Sequence, residues 1–403
     1  MIQKTSLFGF DAYYNKLDAN MKNIFRDSVV FEETMFFIDR GETKRLLFVA
    51  DSILKVTSYD RKTVYVEGRD YTLVDGKLHI TENSTIPCVT SENYYNVSDS
   101  IVSIHHNGGV VPVYWGEDAA MTKWQVKVTY THTDDFCGFV QPSNTEVYER
   151  FIKKLVAGEN VTVVAYGDSI TCGATSSWYC GYEPHVYTYS MQFACALADL
   201  FGFTVKFVDA SDLHFQIKKP PCDYVGGDRG VITYVNTSVG GWRSQHGIDN
   251  YDKHGIDNYD KHILPFVEKY GCDLFISAFG MNDSSFPPDT TASNTKIIID
   301  RTLALAPDLS VALLSTMVPN PISVGWYDKQ PYQEPHLLAL AEQYRDKGVP
   351  CAVTQMTSVS LAVLKYKEFV DYTGNNINHP NDFFGRIYAT SLFQSIIGYE
   401  NLK

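Results

Sequence analysis

Four short segments hold residues whose types and spacing could carry out acyl transfer. Gly167-Asp168-Ser169-Ile170-Thr171 follows the apolar run VTVVAY and precedes a helical stretch. A serine at such a strand-to-helix turn is exposed at the sheet edge, with its own N–H near the positive end of a helix. The segment is not the G-x-S-x-G elbow of α/β-hydrolases, because Thr171 stands at the last position. Asn236-Thr237-Ser238-Val239-Gly240-Gly241-Trp242 closes a second strand, and its glycines let backbone N–H groups approach a ligand closely. Phe279-Gly280-Met281-Asn282-Asp283 follows the strand CDLFISA, and Asn282 could aim its side-chain amide at a developing oxyanion. The Ser169 N–H, the Gly241 N–H and the Asn282 amide together would form a three-donor oxyanion hole, in which one donor is typically worth about 2.7–4 kcal/mol. Asn375-Asn376-Ile377-Asn378-His379-Pro380-Asn381 comes last, and His379 is the expected general base that takes the Ser169 proton. Each segment alone could be an ordinary turn. All four in this order, each at a strand or loop end, are hard to explain otherwise.

The elements that must position these residues follow from periodicity. From VTVVAYGDS onward, apolar strand candidates alternate with helix candidates. The strands are VTVVAYGDS, VKFVDA, VITYVNTS, CDLFISAFG and VALLSTMV; the helices are YSMQFACALADLFG, HILPFVEKYG, TASNTKIIIDRTLALA and EPHLLALAEQYRDKG. Alternation of this kind predicts a parallel sheet with helices on both faces, and active sites of such sheets lie beyond the carboxyl ends of the strands. Residues from about 28 to 135 read differently, as short strands separated by turns: SVVFEETMFFID, RLLFVADSILKVTSYD, TVYVEG, VVPVYWG and WQVKVTYTH. The alternation in the last suits a half-buried antiparallel strand, and the spacing suggests a β-sandwich. Between the halves, QPSNTEVYERFIKKLVAGEN predicts a helix with Ser143 and Glu146 as its capping box and Gly158 as its stop. The domain boundary is therefore expected at Pro142, with residues 1–142 a β-sandwich accessory domain and residues 143–403 the catalytic domain.

On its four blocks the chain resembles the SGNH (GDSL) hydrolase family: GDSI around Ser169, Gly241 in the second block, GMND around Asn282, and the His379-Pro380 pair. The resemblance covers roughly residues 160–397. It implies a flavodoxin-like α/β/α three-layer sandwich with a five-stranded parallel sheet, and hydrolysis of a small ester through an acyl-enzyme, without metal or cofactor. One position departs from the family pattern. The family's acid stands three residues before the histidine, and here that position is Asn376. Asn376 offers a carbonyl oxygen but no charge to hold the imidazolium. The favoured expectation is a Ser169–His379 dyad oriented by a backbone carbonyl near Asn376. Asp371 or Asp382 folding back into the acid's place is a second reading, and a lapsed site a third.

Composition narrows the substrate. The 403-residue chain has a net charge of −13, with 44% hydrophobic and 20% charged residues. That balance disfavours nucleic acid and anionic membranes as partners and leaves neutral substrates such as sugars open. The 27 tyrosines offer flat faces and hydroxyls that suit sugar rings, although most aromatics are expected to fill cores. The two-domain layout resembles bacterial carbohydrate acetylesterases, in which a jelly-roll-like domain adjoins the catalytic one. That implies removal of O-acetyl groups from plant polysaccharide oligosaccharides; a GDSL lipase or lysophospholipase and a catalytically lapsed carbohydrate-binding protein are the alternatives. Trp242 and Trp326 are candidates for substrate walls or, equally, packing aromatics. Asp168 and Asp283 are expected to brace the active-site turns. The N-terminal MIQKTSLFGFDAYYNKLDANMK has no apolar stretch of signal-peptide length, so a cytoplasmic protein is expected. The eight scattered cysteines form no C-x-x-C pair and read as reduced thiols. HGIDNYDK at 246–253 recurs unchanged at 254–261 and reads as a tandem insertion; a metal site from His246, His254 and nearby aspartates has no geometry to fix it.

Overall fold

The computed structural model describes residues 16–118, 120–213, 221–249 and 257–402. At its centre is β1 (Val161–Gly167), whose seven residues are all buried. A strand covered on both faces has no reason to alternate, which is why VTVVAYG reads as one apolar run. The other parallel strands are β2 (Thr204–Asp209), β3 (Val231–Asn236), β4 (Leu274–Ala278), β5 (Ser310–Leu314) and β6 (Cys351–Thr354). Their spatial order is β2-β3-β1-β4-β5-β6, with the two-residue strand Tyr224–Val225 antiparallel along β2. Among the described residues the sheet thus has seven strands, not the five expected. The additional two are the short Tyr224–Val225 and Cys351–Thr354, of two and four residues, too brief to display a period. Because β3, β1 and β4 are neighbours, the second, first and third sequence blocks emerge side by side from one edge of the sheet.

Among the described residues, the antiparallel strands of the N-terminal half form three separate sheets, of three, three and two strands. In the first, Gln125–Thr131 lies between Val29–Phe36 and Ser52–Ser58. The half-buried reading of WQVKVTYTH needs correction, since Gln125 through Val128 are all buried. Its polar positions face the C-terminal half of the chain instead of solvent. The Gln125 amide donates to the carbonyls of Val370 and Thr373, both at 2.8 Å. The Lys127 ammonium lies 3.5 Å from Asp382 and 4.3 Å from the Tyr59 ring centroid. Lys44 pairs with Asp371 at 2.8 Å, and Lys367 pairs with Glu33, both fully buried. Losing one partner of such a buried pair typically costs about 3–5 kcal/mol, because the other charge stays buried and uncompensated.

One hydrophobic core runs through both halves. It holds Val30, Met35, Leu47, Val126 and Val128 from before Pro142, and Val163, Phe193, Phe384 and Leu392 from after it. The joining helix begins at Glu149, with Tyr148 as its N-cap, so the Ser143–Glu146 capping box does not form. Ser143 instead accepts from the Thr145 N–H, and the segment is tied to the chain's C-terminal end by Asn144 N–H to Ser395 O at 2.8 Å and Thr145 Oγ1 to Ile397 O at 2.9 Å. Gly158 does end the helix in the left-handed conformation, φ +78°. No helix among the described residues is long and apolar enough to cross a membrane. None of the eight cysteines forms a disulfide.

Candidate active site

The first block ends β1. A Cβ at Gly167 would lie 2.4 Å from the Ala278 carbonyl oxygen on β4, so only glycine permits this strand spacing. Asp168 caps the short helix Ser169–Cys172 by accepting from the Ile170 N–H at 3.0 Å. Asn236, ending β3, reaches the same helix: its amide donates to the Thr171 carbonyl at 2.9 Å. After β4, Gly280 adopts φ +135°, and a Cβ there would meet Gln333 Oε1 at 2.4 Å. That turn carries Asn282. Asp283 then clamps the second and third blocks together, accepting from the Ser244 N–H at 2.9 Å and the Thr291 hydroxyl at 2.6 Å. Asp168 and Asp283 thus each accept hydrogen bonds from the turns beside them.

Ser169 and His379 meet. Ser169 Oγ is 2.8 Å from His379 Nε2. Both residues are buried, 5% and 6% exposed. The Ser169 N–H and Gly241 N–H have no acceptor among the described residues. Gly241, at φ +74° and in open space, is held in a conformation few other residues adopt. One hydrogen of the Asn282 amide is spent on the Trp242 carbonyl at 2.9 Å, which fixes the amide plane and leaves its second hydrogen free. The dyad's expected carbonyl is not there. Asn376 makes its hydrogen bonds to Tyr94, Tyr114 and Asn320, and its backbone oxygen accepts from Asn320. Neither alternative acid reaches the imidazole: Asp371 accepts from the Phe36 N–H and Lys44, and Asp382 from the Ser177 N–H.

The carboxylate beside His379 is Glu117, whose Oε2 lies 3.0 Å from Nδ1. Sequence reasoning missed it because 262 residues separate the two in the chain. The only local sign was an acidic residue directly after the aromatic stretch Val113-Tyr114-Trp115-Gly116. It also missed Asn375, whose Oδ1 accepts the N–H groups of Ile377, Asn378 and His379, each at 3.0 Å. Burial pushes the Glu117 carboxyl up, but the charge of His379 and hydrogen bonds from His379 and Asn375 outweigh it and hold the group below the usual carboxylate range.

Trp242 is half-buried, edge-on to Tyr166 and to His262 at 4.9 Å between centroids. Trp326 packs against a small cluster that includes Ile377 of the histidine loop and Trp115 beside Glu117. Its carbonyl and that of Met281 both accept from the Gln330 amide, so its loop is tied to the Asn282 turn. Among the described residues, no group of three or more His, Cys, Asp or Glu side chains is arranged to hold a metal; His254 lies outside them.

Asp168 gives the site a pH signature. Complete burial, helped by the charge of Asp283, pushes its carboxyl from 3.8 up to about 7, against hydrogen bonds from the Ile170 and Met281 N–H groups and the charge of His379. The folded chain therefore holds a proton there that the unfolded chain has released. The stability this contributes is fully present below pH 3.8 and is lost as the pH rises through about 7. Asp168→Asn, which can still accept from Ile170, is expected to flatten this part of the profile. Melting temperatures of both proteins across that window check it, and parallel curves would mean that Asp168 keeps no such proton.

No family model matches this chain, and no curated protein matches it. Among solved structures, a two-domain esterase active on acetylated mannans, co-crystallised with mannopentaose, aligns with a TM-score of 0.43 at 17% identity over 62% of this chain. The alignment spans about half, 53%, of that esterase's length. A Clostridium thermocellum family 3 carbohydrate esterase aligns with a TM-score of 0.38 at 12% identity, over 59% of this chain and 95% of that one. A family 3 carbohydrate esterase from Talaromyces cellulolyticus aligns with a TM-score of 0.39 at 18% identity, over 60% and 95%. In its four blocks, and in the serine and histidine they bring within hydrogen-bond reach, the chain resembles the SGNH (GDSL) hydrolases.

Proposed function

We propose that this protein is a serine esterase that removes O-acetyl groups from carbohydrate through an acyl-enzyme. The observation that carries the reading is the 2.8 Å contact between Ser169 Oγ and His379 Nε2, beside the unclaimed N–H groups of Ser169 and Gly241. As Oγ attacks the acyl carbonyl carbon, its proton passes to Nε2. The negative charge that develops on the carbonyl oxygen faces the Ser169 N–H, the Gly241 N–H and the second hydrogen of Asn282. His379 then returns the proton to the departing sugar oxygen. Water, deprotonated by the same nitrogen, releases acetate.

The enclosure of Ser169, 5% exposed, favours a short acyl group over a long chain. Trp326 and Trp115, half-buried against the cluster that holds Ile377 of the histidine loop, have the flat faces that suit a sugar ring. Residues 143–403 carry the hydrolase scaffold in this reading, and the chain before Pro142 is joined to it through one core. The test is acetate release from acetylated xylan, mannan and pectin oligosaccharides, run beside 4-nitrophenyl esters of increasing chain length. Release from at least one oligosaccharide, with acetate preferred among the simple esters, is expected. Preference for long chains would favour the lipase reading, and glycan binding without release the lapsed one.

A further inference from the structure

His379 has two ring nitrogens, and both are engaged. Nε2 faces Ser169 at 2.8 Å and Nδ1 faces Glu117 at 3.0 Å. An imidazole that donates its Nδ1–H to a carboxylate presents the Nε2 lone pair to the serine hydroxyl, the tautomer that a general base requires. We infer that Glu117 is the positioning carboxylate of the Ser169–His379 pair, supplied by the N-terminal half of the chain, and that Asn376, which stands where the SGNH pattern has its acid, anchors the segment that delivers it. The inference rests on the serine-esterase reading.

The delivery is built from both sides. Glu117 Oε1 accepts from the Asn375 amide at 3.0 Å, and the Oδ1 of that same asparagine gathers the N–H groups of Ile377, Asn378 and His379. One side chain therefore sets the histidine loop and the carboxylate relative to each other. Asn376 completes the arrangement. Its Nδ2 lies 3.0 Å from both the Tyr94 hydroxyl and the Tyr114 carbonyl, three residues before Glu117, and its Oδ1 accepts from Asn320 at 3.2 Å. Tyr114 is further tied by its N–H to the Tyr94 carbonyl at 2.8 Å. An aspartate at 376 would have no hydrogen for the Tyr114 carbonyl and would set a charge against it. Asn376 also sits at φ +64°, a conformation that asparagine tolerates better than most residues. The Glu117 side chain is 26% exposed and that of His379 8%, so the pair is shielded from bulk water, and the depressed Glu117 carboxyl stays ionised through neutral pH. In the transfer, the Ser169 proton goes to Nε2; Glu117 takes no proton and stabilises the imidazolium that forms.

The test uses the full chain with E117Q, N376D, E117Q/N376D and S169A. Five readouts are taken: kcat and KM for 4-nitrophenyl acetate across pH, the rate and end point of Ser169 labelling by a fluorophosphonate, and thermal melting. E117Q is expected to lower kcat by about 10²–10⁴-fold, with KM changed by less than about twofold. The acid limb of its kcat/KM profile should move to lower pH, because the imidazolium has lost its anion. Referring kcat to the fluorophosphonate end point removes any misfolded fraction from the comparison. N376D should slow both turnover and labelling, and E117Q/N376D should recover nothing relative to E117Q. Wild-type kcat per titrated serine in E117Q with an unmoved acid limb would overturn the inference, as would recovery in the double variant. If S169A turns over within tenfold of the wild type and is still labelled by the fluorophosphonate at another residue, the esterase reading itself fails. If S169A abolishes both while E117Q changes neither, only the role of Glu117 fails.

Discussion

Replacing Ser169 by alanine is expected to lower kcat for 4-nitrophenyl acetate by about 10⁶-fold, the scale on which serine hydrolases lose turnover without their nucleophile. The residue makes one side-chain hydrogen bond among the described residues, to His379, so little of the fold depends on its hydroxyl. The helix it begins is capped by Asp168 through Ile170, which the substitution leaves in place. Alanine is also a good helix former. A melting curve like that of the wild type should therefore accompany the loss of turnover. Some rate above the uncatalysed reaction should remain, because the Ser169 and Gly241 N–H groups and the Asn282 amide still stabilise charge on a substrate attacked by water. Turnover within tenfold of the wild type would remove Ser169 from the mechanism, whatever the other blocks do.

His379→Ala should cost a similar factor, and the double variant S169A/H379A should be scarcely worse than either single one. The serine is a poor nucleophile without the base, and the base has nothing to activate without the serine, so their effects overlap instead of adding. Stability should respond differently from the Ser169 case. The His379 ring is a hydrogen-bond partner of Glu117 at 3.0 Å, and its removal leaves that carboxylate, three-quarters buried, with Asn375 as its remaining partner at 3.0 Å. Leaving a buried polar group short of a partner typically costs about 1–3 kcal/mol, so a lower melting temperature should accompany the loss of turnover. A double variant whose loss equals the product of the two single losses would mean that the residues act in separate steps.

The Glu117 contact joins the two halves at His379. A chain read only by its periodicity divides at Pro142 into an accessory part and a catalytic part. Yet Gln125 holds the carbonyls of Val370 and Thr373 on the approach to the histidine loop. Asn381, just past His379, donates to Thr34 and Gln125, at 2.9 Å each. The loop that carries His379 is therefore suspended from strands of the other half. The glutamate completes a set of contacts that already cross between the halves.

Much of the fold and most of the candidate site were legible in the residues themselves, for a physical reason. A strand covered on both faces must be apolar throughout, so VTVVAYG announced β1. Glycines at Gly167, Gly241 and Gly280 mark places where a Cβ would collide or a left-handed backbone is required, and these needs are settled within a few residues of chain. Ser169, Gly241, Asn282 and His379 could be found because each sits in such a local turn. What the chain in one dimension could not disclose was decided by packing. Gln125 and Lys127 alternate as a solvent face would, but the histidine loop and Asp382 cover them. Asn376 has the position of an acid and the work of an anchor. Glu117 lies 262 residues from the imidazole it meets, and no spacing rule connects them. Only the folding of both halves around one core brings that carboxylate to His379, because the contact depends on how the buried faces of distant strands and loops fit together and not on any pattern within either.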